Sequence, residues 1–203
     1  MEEEATRSRI LKAAMEEFGR AGFSGASLRK ITGEAGVTTG AFYGYFKSKE
    51  EVFDALVREE AEHILFMYKT ILTDFQSLPP EEQQSDMMTH TMEGVRAMTD
   101  YIYDHLPAFQ LILRSSQGTR YDHFVSELAR MDVDATHDFA RSMEDMGLSM
   151  ETVNPMLEHM LISGMFASYF ELVIHGISRE EADHYIEQLL IFNAAGWQAL
   201  MGF

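Results

Sequence analysis

The sequence predicts an all-α protein: a small head of three short helices at the N-terminus, a larger helical body behind it, and about nine helices in all. Apolar residues recur every three or four positions through most of the chain. Gly and Pro fall between these runs, where helices end or begin. No stretch shows the sustained two-residue alternation of a half-buried strand. At 203 residues the chain is long enough for a head at about residues 1–50 and one core-bearing domain at about 51–203.

The first helix is expected over Thr6 to Ala21, with Ile10, Leu11, Ala14, Met15 and Phe18 on one face and Gly22 as its stop. Ser27 is placed to accept a hydrogen bond from the free amides of a second helix, whose inner face is Leu28, Ile31 and Ala35 and whose stop is Gly36. Thr38 is the expected N-cap of a third short helix from about Thr39 to Tyr45, with Val37 plugging the turn before it. Helix, helix, tight glycine turn and helix is the order of a helix-turn-helix.

Ser48 and Glu51 have the spacing of a capping box and open a long helix that runs through Phe53, Leu56, Val57, Ile64, Met67 and Ile71 toward Leu78. Pro79 and Pro80 end it and start the next, which carries Met88, Met92, Val95 and Met98 to about His105. Pro107 breaks the chain again before a short apolar helix, Phe109 to Leu113. Thr119 is expected to cap a long helix ending near Gly147. Asn154 and Pro155 start one that stops at Gly176, and Ser178 with Glu181 caps the last, which ends near Met201.

The stretch Gly36 to Glu51, GVTTGAFYGYFKSKEE, carries the functional signal. A helix that lies deep in the major groove needs short side chains at its leading end, so that the backbone can approach, and polar ones to read base edges. Thr38, Thr39, Gly40, Ala41 and Gly44 meet that need, with Ala41 suited to a thymine methyl group. Tyr43, Tyr45, Lys47 and Lys49 are placed to hold phosphates, and Ser27 and Arg29 at the start of the second helix complete the expected DNA-contacting set. Phe42 and Phe46 read as core.

These residues closely resemble the tetracycline-repressor (TetR) family over about the first 55 positions. The turn and third helix from Gly36 to Phe46, the following Lys-Ser-Lys-Glu-Glu, and the approach Phe23-Ser24-Gly25-Ala26-Ser27 agree in register. Gly33, which weakens the second helix, and Gly44, where many members carry a larger polar residue, depart from the pattern. The resemblance implies a homodimeric, ligand-responsive transcriptional repressor acting on double-stranded operator DNA.

The formal charge of −17 argues against a DNA partner until its distribution is considered. Residues 1–50 hold eight Lys or Arg against seven Asp or Glu, net +1, which leaves −18 for the remainder. Without Glu2, Glu3, Glu4 and the helix-opening Glu50 the head is +5, so basic charge is confined to one end. The absence of cysteine excludes a disulfide framework, a thiolate metal site and a thiol nucleophile. The acidic N-terminus is the wrong charge for a signal peptide, and the most apolar run, about Met160 to Ile174, is broken by Glu171 and shorter than a membrane span, so a cytoplasmic protein with no membrane partner is expected.

Small residues in the last two helices, among them Gly164, Ser168 and Ala194, lie beside Leu161, Leu190 and Trp197, the pattern of a close-packed homodimer interface. Two heads so joined would meet half-sites about 34–36 Å apart. Fifteen methionines and fourteen phenylalanines suit an adaptable apolar interior that admits a small-molecule inducer of unknown identity. Its polar candidates are Tyr103, His105, Arg114, Arg120, Tyr121, His159 and Tyr169, with Arg114 and Arg120 flanking a Ser115–Gln117 loop suited to an anionic group. Glu60 with His63, Asp134 with His137 and Glu181 with His184 have the spacing of metal-carboxylate bundles, but chance accounts for such pairs in so acidic a chain. No nucleophile elbow, zinc-protease spacing or phosphate-binding glycine loop is present, and no enzymatic activity, cofactor or metal is expected. The competing readings are a metal-carboxylate bundle enzyme and a helical interaction protein with a vestigial head.

Overall fold

The computed structural model describes residues 2–145, 147 and 151–202, with residues 80–90 described by backbone alone; Met88 therefore lies outside the described side chains. Among these residues there are nine helices and no strand: α1 (Glu2–Gly25), α2 (Leu28–Glu34), α3 (Thr39–Phe42), α4 (Lys49–Ser77), α5 (Pro80–Asp104), α6 (Leu106–Ser115), α7 (Phe124–Asp145), α8 (Pro155–His175) and α9 (Arg179–Met201). They form two compact units, Met1–His63 with His105–Phe124, and Ile64–Asp104 with Val125–Phe203. The unit that holds the head thus extends beyond residue 50 to include the first half of α4, and α6.

In the head unit, Gly22 adopts φ 67° and ψ 165°, so helical geometry breaks there although a further turn follows to Gly25. The break turns Phe23 inward, where its ring meets Phe18 and Phe53 at 5.8 and 5.5 Å between centroids. Ile10, Phe18, Ile31, Phe42 and Phe53 are fully buried and form the head's apolar centre. Glu17 is buried with them. Its carboxylate accepts from the Arg20 guanidinium and, at 3.0 Å, from the Ser27 amide. These bonds hold its carboxyl below the usual range. Ser27 is therefore the N-cap of α2 without a capping bond from its own side chain, contrary to the sequence expectation. Thr38 does cap α3, accepting from the Ala41 amide at 3.1 Å. The capping pattern before α4 also forms in part: Ser48 Oγ accepts from the Glu51 amide, and Glu51 accepts from the Lys47 amide.

α6 begins one residue before Pro107 and packs on α1. Thr119 does not start α7. It sits in a turn, donating to the Ser116 carbonyl at 2.7 Å and accepting from the Tyr121 amide, and the helix begins five residues later at Phe124. The loop between α6 and α7 is fastened within the head unit by Ser24 Oγ donating to the Gln117 carbonyl and Tyr121 Oη donating to Asp54 at 2.6 Å.

The body unit packs the second half of α4 with α5, α7, α8 and α9 around Ile102, Leu128, Ile162, Phe166, Phe170 and Ile186. Asn154 caps α8 by accepting from the Met156 and Leu157 amides, Gly176 ends it in the left-handed conformation, and Ser178 with Glu181 forms a complete capping box for α9. α8 spans 21 residues, long and apolar enough by length and composition to cross a membrane, which corrects the shorter run expected from sequence. One face of α8 nevertheless packs into the body core, and its buried Glu158 bonds His137 of α7 at 2.8 Å.

Candidate nucleic-acid interface and internal cavity

The turn at Gly36, with φ 66°, sets α3 outward from the head. Thr38, Thr39, Gly40, Ala41, Tyr43 and Gly44 are all exposed, while Phe42 and Phe46 are buried beneath them. Tyr43 is 55% exposed, with its ring edge-on to Phe42. Arg29 and Lys47 are exposed, and Ser27 and Tyr45 are half-buried. The helical part is shorter than expected, since Tyr43 is the C-cap of α3 and a turn carries the chain on to Tyr45.

Lys49 departs from its expected role. Its ammonium donates to the Phe23 carbonyl at 2.6 Å and the Ala26 carbonyl at 3.2 Å, and it lies 4.4 Å from the centre of the Phe23 ring. It ties the start of α4 to the turn after α1, because the backbone break leaves carbonyls there that need donors. Its charge is spent inside the head instead of facing a phosphate.

A cavity of about 280 Å³ lies within the body unit, among α4, α5, α7, α8 and α9. Its wall is mostly apolar, including Phe75, Met98, Phe139, Phe166 and Trp197. Of the seven ligand candidates named from sequence, Tyr169 alone lines it, with its buried hydroxyl 2.9 Å from Thr99 Oγ1. Burial drives the Tyr169 phenol far above its ordinary range. The other six lie elsewhere. Tyr103 donates to the Ile177 carbonyl at 2.7 Å and so pins the turn before α9. Desolvation and the nearby carboxylates of Glu181 and Asp183 raise its phenol. His105 is the N-cap residue of α6, and His159 is exposed on α8. Arg114 borders a small crevice with Met15, Gly19 and Pro107 in the head unit. Arg120 meets Asp54 at 2.8 Å and the Tyr121 hydroxyl at 2.7 Å, so one of the two arginines expected to hold an anion is instead paired with the protein's own acid.

Sequence reasoning missed Tyr68 and Asp132 in the cavity wall. Tyr68 Oη of α4 donates to Asp132 Oδ1 of α7. Asp132 keeps some accessible surface, but the surrounding protein raises its carboxyl to about 6, and Glu158 pushes it the same way. The signal was present: Asp132 falls on the helical stripe of Leu128, Ala135, Phe139 and Met143, where an acid is out of place.

Leu190, Ala194 and Trp197, expected at a dimer interface, also line the cavity. The exposed apolar residues of these helices are Met156, Leu157, Met160 and Leu161 on α8 and Ile191, Phe192 and Leu200 on α9. Gly164 on α8 has open space where a Cβ would stand, and Ser168 is half-buried, bonded to the Gly164 carbonyl. Among the metal-spaced pairs, Glu181 is held by Ser178 and His137 by Glu158.

A three-helix head with an outward short helix after a glycine turn, followed by an all-helical body, defines a helix-turn-helix protein of two-part architecture. Residues 10–56 match the model of the bacterial regulatory proteins, tetR family, and the head belongs to that family. The chain is 32% identical over 100 residues to the uncharacterized HTH-type transcriptional regulator YerO of Bacillus subtilis, covering 47% of this chain and 33% of that one. It is 30% identical over 97 residues to the HTH-type transcriptional regulator UidR of Escherichia coli K12, covering 48% and 50%. The chain thus spans a third to a half of the length of these curated relatives. The fold extends further: the TetR family transcriptional regulator PfmR of Thermus thermophilus matches over 91% of this chain and 94% of its own, at 18% identity and a TM-score of 0.52.

Proposed function

We propose that the protein is a sequence-specific DNA-binding transcriptional regulator, a homodimeric repressor released from its operator by a small molecule held in the body's cavity. The observation that carries this reading is the exposed, small-residue and polar surface from Thr38 to Gly44, laid over buried Phe42 and Phe46 within the segment matched as a tetR-family head. In this reading Thr39 and Ala41 meet base edges, with Gly40 and Gly44 allowing the backbone to come close. Arg29, Tyr43 and Lys47 hold phosphates, Ser27, Thr38 and Tyr45 flank them, and Lys49 positions the head. The functional division falls at about residue 50.

The outer face of α8 and α9 is the dimer face, where Leu161, Gly164 and Ser168 meet a second copy together with Ile191 and Phe192. α4 is one unbroken helix from Lys49 in the head to Tyr68 at the cavity wall, and a ligand that alters the packing around Tyr68 would act on the head through it. Linkage then requires the operator to weaken ligand binding by the same factor as the ligand weakens operator binding.

Selection from random duplex DNA with the purified protein tests the reading. A pseudo-palindromic winner bound far more tightly than scrambled DNA at two salt concentrations supports it. Failure to enrich any sequence removes it.

A further inference from the structure

Resting on the ligand-responsive reading above, we propose that the cavity takes a small apolar ligand bearing a protonated amine, with the Asp132 carboxylate as its counter-ion. Among the described residues Asp132 is the one acid or base that lines the cavity, in a wall otherwise made of aromatic, aliphatic and uncharged polar side chains. Tyr68 Oη, fixed by its own burial, donates to Oδ1 and orients the carboxylate.

Among the described residues, no cation lines the cavity with Asp132 or stands among the groups that shift its carboxyl. Tyr68 faces it from α4 and Glu158 from α8, and Glu158 is itself paired with His137 of α7. α5 and α9 contribute to the cavity wall only uncharged side chains, such as Thr91 and Asn193, among the described residues. Near neutral pH the carboxyl, raised to about 6, is mostly ionised. A carboxylate enclosed in this way carries a desolvation cost that an entering ammonium group offsets and an alcohol does not. A carboxylate or phosphate ligand would meet like charge. The volume, near the roughly 300 Å³ lower end of small-molecule sites, calls for a short ligand.

Trp197 is the sole tryptophan of the chain and lines the same cavity, so its fluorescence reports occupancy directly. The full-length protein without DNA is titrated with phenylbutylamine, phenylbutanol and phenylbutyrate, with calorimetry as a second readout. The amine is expected to bind at least about tenfold more tightly than the alcohol, as a charge-assisted bond allows, with the acid weakest. Asp132→Asn keeps an acceptor for Tyr68 and is expected to abolish the amine's preference while leaving alcohol binding in place. Lowering the pH through about 6 should weaken amine binding and leave alcohol binding level. Equal binding of amine and alcohol to the unchanged protein, or an amine preference that survives Asp132→Asn, overturns the proposal and makes the Tyr68–Asp132 pair a structural clamp between α4 and α7. Binding of the alcohol in that event leaves the ligand-responsive reading standing. No heat and no fluorescence change with any of the three overturns both.

Discussion

At the scale of single residues, burial assigns different roles to like side chains. Lys47 and Lys49 are two positions apart, yet one is exposed and the other gives its ammonium to two backbone carbonyls. Lys49→Ala should cost about 1–3 kcal/mol in denaturant unfolding, because the Phe23 and Ala26 carbonyls lose a charged donor. Lys47→Ala should change stability by no more than about 0.5 kcal/mol. It should weaken binding to all DNA sequences and reduce the salt slope by about one. If Lys47→Ala destabilised the fold as much as Lys49→Ala, this division of roles would be wrong. Asp132 gives a second test through pH. Its folded carboxyl titrates at about 6, above its ordinary 3.8, so the folded state binds the extra proton between those values and loses stability as pH rises through them. Asp132→Asn should therefore stabilise the protein by about 1–3 kcal/mol near pH 7, with the gain vanishing at about pH 4. Glu17 has the opposite sign, since its depressed carboxyl stabilises above its ordinary 4.5 and loses that effect on further acidification. Subtracting the two proteins' stability curves cancels the Glu17 contribution and isolates Asp132. A difference that does not vary between pH 4 and 7 would contradict the raised carboxyl.

At the scale of elements, the helices were legible where their ends are chemically marked. Asn154 with Pro155, Gly176, Ser178 with Glu181, and the Pro79–Pro80 pair each fall at an observed boundary, because an N-cap acceptor, a left-handed glycine or a missing amide acts locally. Thr119 and Ser27 had the same local chemistry, but the Thr119 hydroxyl is taken up in the turn before α7, and Ser27 engages the Glu17 carboxylate through its amide while its hydroxyl makes no capping bond. That difference is measurable. Asn154→Ala should cost about 1 kcal/mol, since two amides lose their acceptor, whereas Ser27→Ala should cost only a few tenths. Thermal unfolding of both variants checks this, and a Ser27→Ala loss equal to that of Asn154→Ala would restore Ser27 as a working cap. The exposed surface of α3 was legible because it needs only a short segment with two buried phenylalanines under it. The cavity was not, because its wall draws on five helices whose relative packing is not written in any one of them. The approach of α4 and α5 shows why: a Cβ on Gly94 would stand 2.5 Å from an Ile71 side-chain carbon, a constraint between residues 23 positions apart with no local mark.

At the scale of the whole molecule, the unresolved balance is between the acidic body and the DNA its head is proposed to bind. A chain of formal charge −17 gains little from non-specific attraction, and one head with few direct base contacts would hold an operator weakly. Joining two heads changes this, because the second engagement becomes intramolecular and raises the combined affinity by about 10²–10⁴-fold without a new kind of contact. In the proposed dimer the outer face of α8 and α9 is the apolar surface for that joining: Phe192 is 76% exposed and Met156 67%, and Met160, Leu161 and Ile191 on the same two helices are exposed as well. A patch of this kind is costly to leave in water and marks an interaction surface. Phe192→Glu places a charge on this face and, since Phe192 packs little against its own chain, should leave helicity and thermal stability nearly unchanged. Sedimentation should then report a monomer in place of a dimer. Operator affinity should fall by about 10²-fold or more while affinity for an isolated half-site stays constant. A variant that remains dimeric with full operator affinity would show that the two copies join elsewhere, and a monomer that still bound the complete operator tightly would show that a single head suffices.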